Sequence, residues 1–261
     1  MSLKQTLEFE HRTKTATLSS VKISIIVPAF NEEKVLGETL AQIKLASGAF
    51  SQIGWERELI VCDNNSTDRT AEIARAAGAT VVFEPINLIS RARNSGAAVA
   101  NGDWLVFVDA DSHPNAELLA DVAKEIQSGN CLAGGATVRW DQNNFVTGLF
   151  TPVVNIGFRW RRMLSGAFIF IETAVFRKLG GFSHEAFVGE DLELSRRLIK
   201  LAKETGKRFV ILHRHPIVTS ARRVKDYSLL APIGVLKHII FHPYRFITSR
   251  KAARQWYDGR R

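Results

Sequence analysis

Short apolar runs alternate with helical patterns through the first half of the chain. The runs that predict strands are Ile23–Val27, Glu58–Cys62, Thr80–Phe83 and Trp104–Val108. The segments that predict helices are 32–46, 70–77, 90–100 and 116–127. Strict alternation of strand and helix predicts an α/β fold with a mostly parallel central sheet and helices on both faces.

The second half of the chain is less regular. Further strands are predicted at Leu132–Trp140, Ala167–Ile171 and Phe209–Leu212, and the segment 146–158 is apolar. A helix is predicted to open at Gly189-Glu190-Asp191 and to run through Leu194, Leu198 and Leu201. The last predicted strand leads directly to the sequence His213-Arg214-His215.

Three polar, acid-bearing segments follow three of the predicted strands. They are 28–33 (Pro-Ala-Phe-Asn-Glu-Glu), 63–68 (Asp-Asn-Asn-Ser-Thr-Asp) and 109–111 (Asp-Ala-Asp). Ligands of open α/β sheets bind at the carboxyl ends of the strands. Each segment alone is equally well explained as a helix cap or a turn. Together, at one edge of a sheet, they predict a pocket.

The third segment suggests a metal site. Asp109 and Asp111 follow the apolar run Trp104–Val108, and residues i and i+2 of an extended backbone point to the same side. Two converging carboxylates suit Mg²⁺ or Mn²⁺ carrying a diphosphate. Because Asp and Ser are also common turn residues, this motif alone leaves the choice open.

Composition indicates what kind of protein this is and in which compartment it is expected. The 261 residues are 46% hydrophobic, which is enough for one substantial core. Cys62 and Cys131 lie in apolar runs and are predicted to be core residues in a reducing compartment. Residues 1–20 are polar, which predicts a flexible extension rather than a signal peptide. No apolar stretch approaches the roughly 20 residues needed to cross a bilayer.

The net charge of +9 is concentrated near the end of the chain. Residues 207–261 carry 13 Lys and Arg against two acids, while the first 206 residues are nearly neutral. This pattern favours an anionic partner, either phosphates, a membrane surface or nucleic acid. Mixed apolar, aromatic and basic residues in 229–257 fit a helix lying on anionic lipid or, equally, a core helix with a basic solvated face.

The order of motifs resembles the family 2 glycosyltransferases. The resemblance covers about 21–215 and rests on six ordered matches. These are Ile26–Glu33, Asp63–Asp68, Arg91-Ala92-Arg93-Asn94, Gly102-Asp103 leading to Asp109-Ala110-Asp111, Gly180-Gly181-Phe182 and Gly189-Glu190-Asp191. It implies a nucleotide-diphospho-sugar transferase (Rossmann-like) architecture. Residues 21–215 would form a single catalytic domain, and 216–261 a basic, partly amphipathic helical extension.

The resemblance also implies roles at the matching positions. Nucleotide contacts would come from Pro28, Ala29, Phe30, Glu32, Asp63, Arg91, Asp109, Ala110 and Asp111. Asp63 would accept a hydrogen bond from the base, and Asp109 and Asp111 would hold Mn²⁺ or Mg²⁺ against the donor diphosphate. Asp191 would be the catalytic base, supported by Glu190. A helix start favours an anion, so Asp191 is expected to stay ionised.

Histidines and arginines supply further candidates. Related transferases often add a late histidine to the metal, and His213 is the candidate for this ligand, although the spacing does not exclude His215. His184 is an alternative acceptor-site residue. Arg222 and Arg223 are candidates for contact with a diphosphate, and Arg159, Arg161 and Arg162 for contact with a phosphorylated acceptor.

The leading interpretation is an inverting, metal-assisted transfer of one sugar from a UDP, GDP or dTDP donor to a sugar or lipid-linked acceptor. The Gln-x-x-Arg-Trp motif of processive members is absent, since Arg254-Gln255-Trp256 has the wrong order. One alternative is a sugar-phosphate nucleotidylyltransferase, although its Gly-rich phosphate loop is missing after the first strand. Another is a non-catalytic basic module. Nucleic acid is disfavoured because three acidic segments would repel it. The expected location is the cytoplasm, with the inner membrane face as a candidate surface.

Overall fold

The computed structural model describes residues 21–142, 145–185 and 189–222. The predicted N-terminal extension, Arg223 and the rest of the basic tail lie outside the described residues. The strands are β1 Lys22–Ala29, β2 Glu56–Asp63, β3 Thr80–Phe83, β4 Trp104–Val108, β5 Ser112–His113, β6 Cys131–Trp140, β7 Phe168–Glu172 and β8 Arg208–Thr219. The helices are α1 Leu36–Ala46, α2 Gly48–Ser51, α3 Thr70–Ala76, α4 Ile89–Val99, α5 Ala116–Gln127, α6 Phe145–Arg161, α7 Thr173–Lys178 and α8 Glu190–Thr205.

The eight described strands form one sheet in the order β3-β2-β1-β4-β7-β6-β8-β5. β1 pairs in parallel with β2 and β4, β2 with β3, and β6 with β8. β7 runs antiparallel to both of its neighbours, so β6 and β8 point the same way as β1. The prediction of an α/β fold with a mostly parallel sheet is confirmed. The carboxyl ends of six strands therefore lie at one edge.

Two apolar layers cover the two faces of the sheet. Strand β1 alternates between them, with Ile25 and Val27 in one layer and Ile26 in the other. Helices α1 and α5 pack on the first face, and α7 and α8 on the second. Cys62 and Cys131 are buried and unpaired, as predicted, and burial raises the pKa of each thiol to about 12.

Close packing of α4 on β1 requires a glycine. A Cβ atom on Gly96 would lie 2.6 Å from Ile26 Cγ2. With no Cβ there, the helix approaches the sheet closely enough to bury Arg93 completely. This packing places Arg93 and its neighbour Asn94 near the edge of the sheet where the carboxyl ends of the strands lie.

Two predicted element boundaries are wrong. The first helix begins at Leu36 rather than at residue 32, because the Glu32 carbonyl accepts bonds from the amides of Val35 and Leu36 in a preceding turn. The last strand continues to Thr219 rather than ending at Leu212, because it pairs with nearly all of β6. A register irregularity between Leu212 and Ile217 absorbs the polar stretch that suggested an end.

Candidate active site

The loops after β1 and β2 are bonded to each other. The Asn31 amide donates to Ser66 Oγ at 3.0 Å, and the Thr67 amide donates to Asn31 Oδ1 at 2.8 Å. The Glu32 amide donates to Thr70 Oγ1 at 2.8 Å. Asn31 has a left-handed backbone, with φ of 53°. Asn31 therefore joins two loops instead of capping α1.

Asp63 lies at the end of β2, directly across from Ala29 in the parallel ladder. It is 6% exposed, and its Oδ1 accepts a bond from the Ser66 amide at 3.0 Å. The neighbouring Asn64 bonds the carbonyls of Glu84 and Ile86. These contacts hold the Asp63 carboxylate in place at the end of β2.

Arg91 is paired with Glu84, the residue after β3. Its Nε donates to Glu84 Oε1 at 3.0 Å, and Ser95 Oγ donates to Glu84 Oε2 at 2.7 Å. Burial opposes ionisation of Glu84, but these bonds outweigh it and lower the pKa of that carboxyl. The Glu84 amide in turn donates to the Asp63 carbonyl at 2.9 Å. Arg91 is thus linked through Glu84 to the end of β2, and its expected role in closing the pocket on the Asp63 side stays a prediction.

The Asp-Ala-Asp segment is a turn, not the extended backbone that the sequence suggested. The Ser112 amide donates to the Asp109 carbonyl at 3.0 Å and closes the turn. The two carboxylates bind different arginines. Asp109 Oδ1 lies 2.9 Å from Arg93 Nη2, and Asp111 Oδ2 lies 3.0 Å from Arg222 Nη2.

Arg93 links the Asp-Ala-Asp turn to the start of α8. Its Nη1 lies 2.5 Å from Glu190 Oε1, and its Nη2 also donates to the Gly166 carbonyl at 2.9 Å. The guanidinium carbon lies 5.2 Å from the centre of the Phe182 ring. The acidic residues of two distant motifs therefore contact one buried cation.

Asp191 is partly buried at the first turn of α8. Gly189, with φ of 78°, turns the chain into the helix, and Asp191 Oδ1 accepts a bond from the Leu192 amide at 2.8 Å. Burial, reinforced by Glu190 and only partly offset by Arg93, raises the pKa of Asp191 to about 7. The expectation that the helix start keeps Asp191 ionised leaves out this desolvation, which favours the neutral carboxyl.

Asn94 holds the loop in front of α8. Its side chain bonds both the amide and the carbonyl of Phe182, at 2.9 and 2.8 Å. Its Nδ2 also lies 2.8 Å from His184 Nε2. His184 is thereby fixed at the same side of the molecule as the start of α8. The adjacent residues Arg93 and Asn94 thus contact three motifs, those containing Asp109, Glu190 and Phe182.

Arg222 joins the end of β8 to the site. Its Nη2 contacts both Glu32 Oε2 and Asp111 Oδ2, and the neighbouring Ser220 amide donates to the Asp111 carbonyl. Burial disfavours the charge, but these two carboxylates outweigh it and raise the pKa of Arg222. The sequence marked Arg222 as a phosphate contact without revealing this pairing. The sequence offers no local signal for this pairing, because the strand that ends near Arg222 was predicted to stop at Leu212.

The late histidines lie elsewhere. His213 is exposed within β8, and His215 Nδ1 contacts Asp121 Oδ2 of α5 at 2.8 Å. Among the residues that the structure describes, no three His, Cys, Asp or Glu side chains form a group able to hold a metal ion. The prediction that His213 completes a metal site therefore gains no support from this arrangement.

Helix α6 connects β6 to β7 at the carboxyl edge. Its C-terminal part exposes Trp160, with 79% of its surface accessible, and Ile156, with 64%. Arg159, Arg161 and Arg162 are exposed beside them. Within the described ranges, no helix combines the length and apolarity that crossing a bilayer requires.

Comparison with known proteins identifies the family. The family model described as "Glycosyl transferase family 2" matches residues 24–181. The probable glycosyltransferase YdaM of Bacillus subtilis is 29% identical over 203 residues, 69% of this chain and 47% of that protein. The uncharacterized protein MJ1222 of Methanocaldococcus jannaschii is 29% identical over 237 residues, 84% of this chain and 91% of that protein. The chain thus spans about half the length of the first relative.

Solved structures support the same fold. TarS of S. aureus in complex with UDP-GlcNAc has a TM-score of 0.59 at 21% identity, covering 90% of this chain and 78% of that one. Glucosyl-3-phosphoglycerate synthase of Mycobacterium tuberculosis, in complex with Mn²⁺, UDP-glucose and phosphoglyceric acid, has a TM-score of 0.56 at 20% identity, covering 87% and 83%. With well over half of its length matched by the family model, this chain belongs to glycosyl transferase family 2.

Proposed function

We propose that this chain transfers a single sugar from a nucleotide-diphosphate donor to an acceptor hydroxyl or phosphate, with inversion at the anomeric carbon. The observation that carries the proposal is the contact of Arg93 with both Asp109 and Glu190. It brings the motif expected to hold the donor next to the motif expected to hold the base. Family membership supports the transfer of a sugar over the transfer of a nucleotidyl group.

The nucleoside part of the donor is assigned to the edge of β1 and β2. Pro28, Ala29 and Phe30 form its lining, and Glu32 lies beyond them. Asp63 has one oxygen bonded to the Ser66 amide, which leaves the other to accept the ring N–H of a base. Uracil, thymine and guanine all present such a donor. Arg91, linked to Asp63 through Glu84, closes the same side of the pocket.

The carboxylates of Asp109 and Asp111 fit a divalent metal. Mg²⁺ and Mn²⁺ prefer oxygen ligands, and Mg²⁺ is commonly held by one or two carboxylates together with substrate phosphates. Both aspartates belong to one turn, and Arg93 bonds Asp109 through Oδ1. A metal held there by Asp109 and Asp111 would neutralise charge on the departing diphosphate. A histidine ligand is not needed for this fit.

Asp191 is assigned as the base. Its carboxylate takes the proton of the acceptor hydroxyl while that oxygen forms a bond to the anomeric carbon and the bond to the diphosphate breaks. One displacement on the face opposite the leaving group gives inversion. A pKa of about 7 suits this role, since a base works best when its pKa is near the working pH. Glu190, held by Arg93, supports the acceptor.

A thermal-shift panel tests the donor assignment. UDP, GDP, dTDP and CDP are compared with Mn²⁺ or Mg²⁺, and the preferred nucleotide is expected to raise the melting temperature most, since it binds only the folded chain. Asp111→Asn should lose the metal-dependent part of the shift. Asp121→Asn is the matched control, because Asp121 pairs with His215 away from the site. No shift with any nucleotide would contradict the proposal.

A further inference from the structure

Arg93 contacts acidic residues from both halves of the site. Resting on the proposed function, we propose that Arg93 is a positioning residue that sets the donor-side carboxylate Asp109 and the base-side carboxylate Glu190 at a fixed separation. Arg93 does not need to touch either substrate for this role. It acts through the two carboxylates that it holds.

The geometry of the guanidinium supports the role. Nη1 lies 2.5 Å from Glu190 Oε1, and Nη2 lies 2.9 Å from Asp109 Oδ1. The two nitrogens belong to one rigid plane, so fixing one carboxylate fixes the direction of the other. A lysine carries the same charge but lacks this planar fork. The separation of the two carboxylates is thus set by the width of one side chain.

Stability alone is a poor explanation for this arginine. Its side chain is 1% exposed, and its Nε is buried without a hydrogen-bond partner. Burying a charge in such a place is costly, and apolar side chains of similar volume often stabilise a core at least as well. The arrangement satisfies the two carboxylates while leaving part of the arginine unsatisfied. This contrast favours a role for Arg93 in positioning the two carboxylates over a role in stability.

The wall around Arg93 leaves little room for movement. A Cβ atom on Gly166 would lie 3.0 Å from Arg93 Nη2 and 3.5 Å from Asp191 Oδ2. The Gly166 carbonyl accepts a third bond from the same Nη2. A methyl group at position 166 would therefore displace the guanidinium by a few tenths of an ångström without removing any charged group.

The test separates positioning from folding. Arg93→Met, Arg93→Lys and Gly166→Ala are compared with wild type, using the nucleotide sugar whose nucleotide is selected by the thermal-shift panel and following release of the nucleoside diphosphate. Arg93→Met should lower kcat about 100-fold, the order expected when reacting groups are misplaced by about 1 Å. The affinity of Arg93→Met for the nucleotide, measured without metal, should stay unchanged. Asp63 and Arg91, which are assigned to the nucleoside, do not contact Arg93. Arg93→Lys should recover only part of kcat.

Arg197→Met is the matched control. Arg197 also binds a carboxylate, Glu193, and two carbonyls, those of Leu179 and Gly181, but neither Asp109 nor Glu190. It should lower the melting temperature and leave kcat of the folded protein unchanged.

Wild-type kcat in folded Arg93→Met overturns the inference. If that variant does not fold, wild-type kcat in both Arg93→Lys and Gly166→Ala overturns it. A wild-type chain that neither binds a nucleotide nor releases a diphosphate counts against the proposed function itself.

Discussion

Arg222 Nη2 lies 2.9 Å from Glu32 Oε2, so the segment after the last strand is joined to the loop after the first. The same nitrogen contacts Asp111, one of the two aspartates assigned to the metal. The Arg222 guanidinium therefore lies between these two carboxylates, where the proposed function would place a metal ion and the donor diphosphate. Arg222 is therefore expected to exchange its carboxylate partners for the diphosphate when the donor binds.

Replacing Arg222 by Met should affect metal and nucleotide in opposite directions. Mn²⁺ alone should bind about 2- to 5-fold more tightly, since removing the half-exposed Arg222 side chain removes a cation that competes for the Asp111 carboxylate. The nucleoside diphosphate with Mn²⁺ should bind about 10-fold more weakly, because a bond to its charged phosphate is lost. Isothermal titration measures both affinities. Arg208→Met, which breaks an exposed pair with Glu125, is the control. Equal changes in the two affinities would contradict the exchange.

The rate of transfer should rise with pH through about 7. Asp191 acts as a base only when ionised, and its pKa is raised to about 7 by burial and by Glu190. The profile of kcat should therefore rise with pH across the neutral range, with low activity at pH 5 and a plateau above pH 8. A flat profile between pH 5 and 8 would show that another group takes the proton.

Stability should depend on the same carboxyl with the opposite sign. The pKa of Asp191 rises from the ordinary aspartate value of 3.8 to about 7 on folding, so the folded state binds more protons between these values. The free energy of unfolding should fall as pH increases through this window and stay level above it. Asp191→Asn keeps an acceptor for the Leu192 amide and removes the buried charge. It should raise the melting temperature at pH 8 more than at pH 5, and an equal effect at both would contradict the account.

The exposed end of α6 is a candidate for contact with a lipid surface. Trp160 and Ile156 lie beside exposed arginines, a combination typical of interfacial helices. The chain should sediment with anionic vesicles at low salt, and Trp160→Ala should weaken that binding. Leu45→Ala, which removes an exposed apolar side chain from α1, should leave it unchanged. Absence of sedimentation with the intact chain would reject membrane association.

The sequence predicts the bounds of β4 accurately, because all five residues from Trp104 to Val108 are apolar. Polar residues lie on either side of this run. The prediction fails at β8 because residues 213–216 interrupt the apolar pattern. These residues fall in the register irregularity between Leu212 and Ile217, and the strand continues because pairing with β6 resumes at Ile217, which a local pattern does not contain. Local periodicity therefore predicts elements whose burial is uniform and misses those stabilised by irregular pairing.

The site is predictable in composition but not in its internal contacts. The Arg91-Ala92-Arg93-Asn94 motif is visible in the sequence, yet it indicates a role for Arg91 and none for Arg93. Residues two apart on a helix lie about 200° apart around its axis, so one arginine faces inward when the other faces outward. Only the packing of α4 against β1 decides which of the two arginines faces inward. The raised pKa of Asp191 likewise comes from burial by distant segments.

Transfer by Asp191→Asn tests the central claim most directly. The variant should release nucleoside diphosphate from the nucleotide sugar about 1000-fold more slowly than wild type, which lies in the middle of the range that general-base catalysis contributes. Its affinity for the nucleotide with Mn²⁺ should be unchanged. Glu193→Gln, in the same turn of α8 but paired with Arg197, should keep the wild-type rate. Near wild-type turnover by Asp191→Asn would place the base elsewhere and contradict the account.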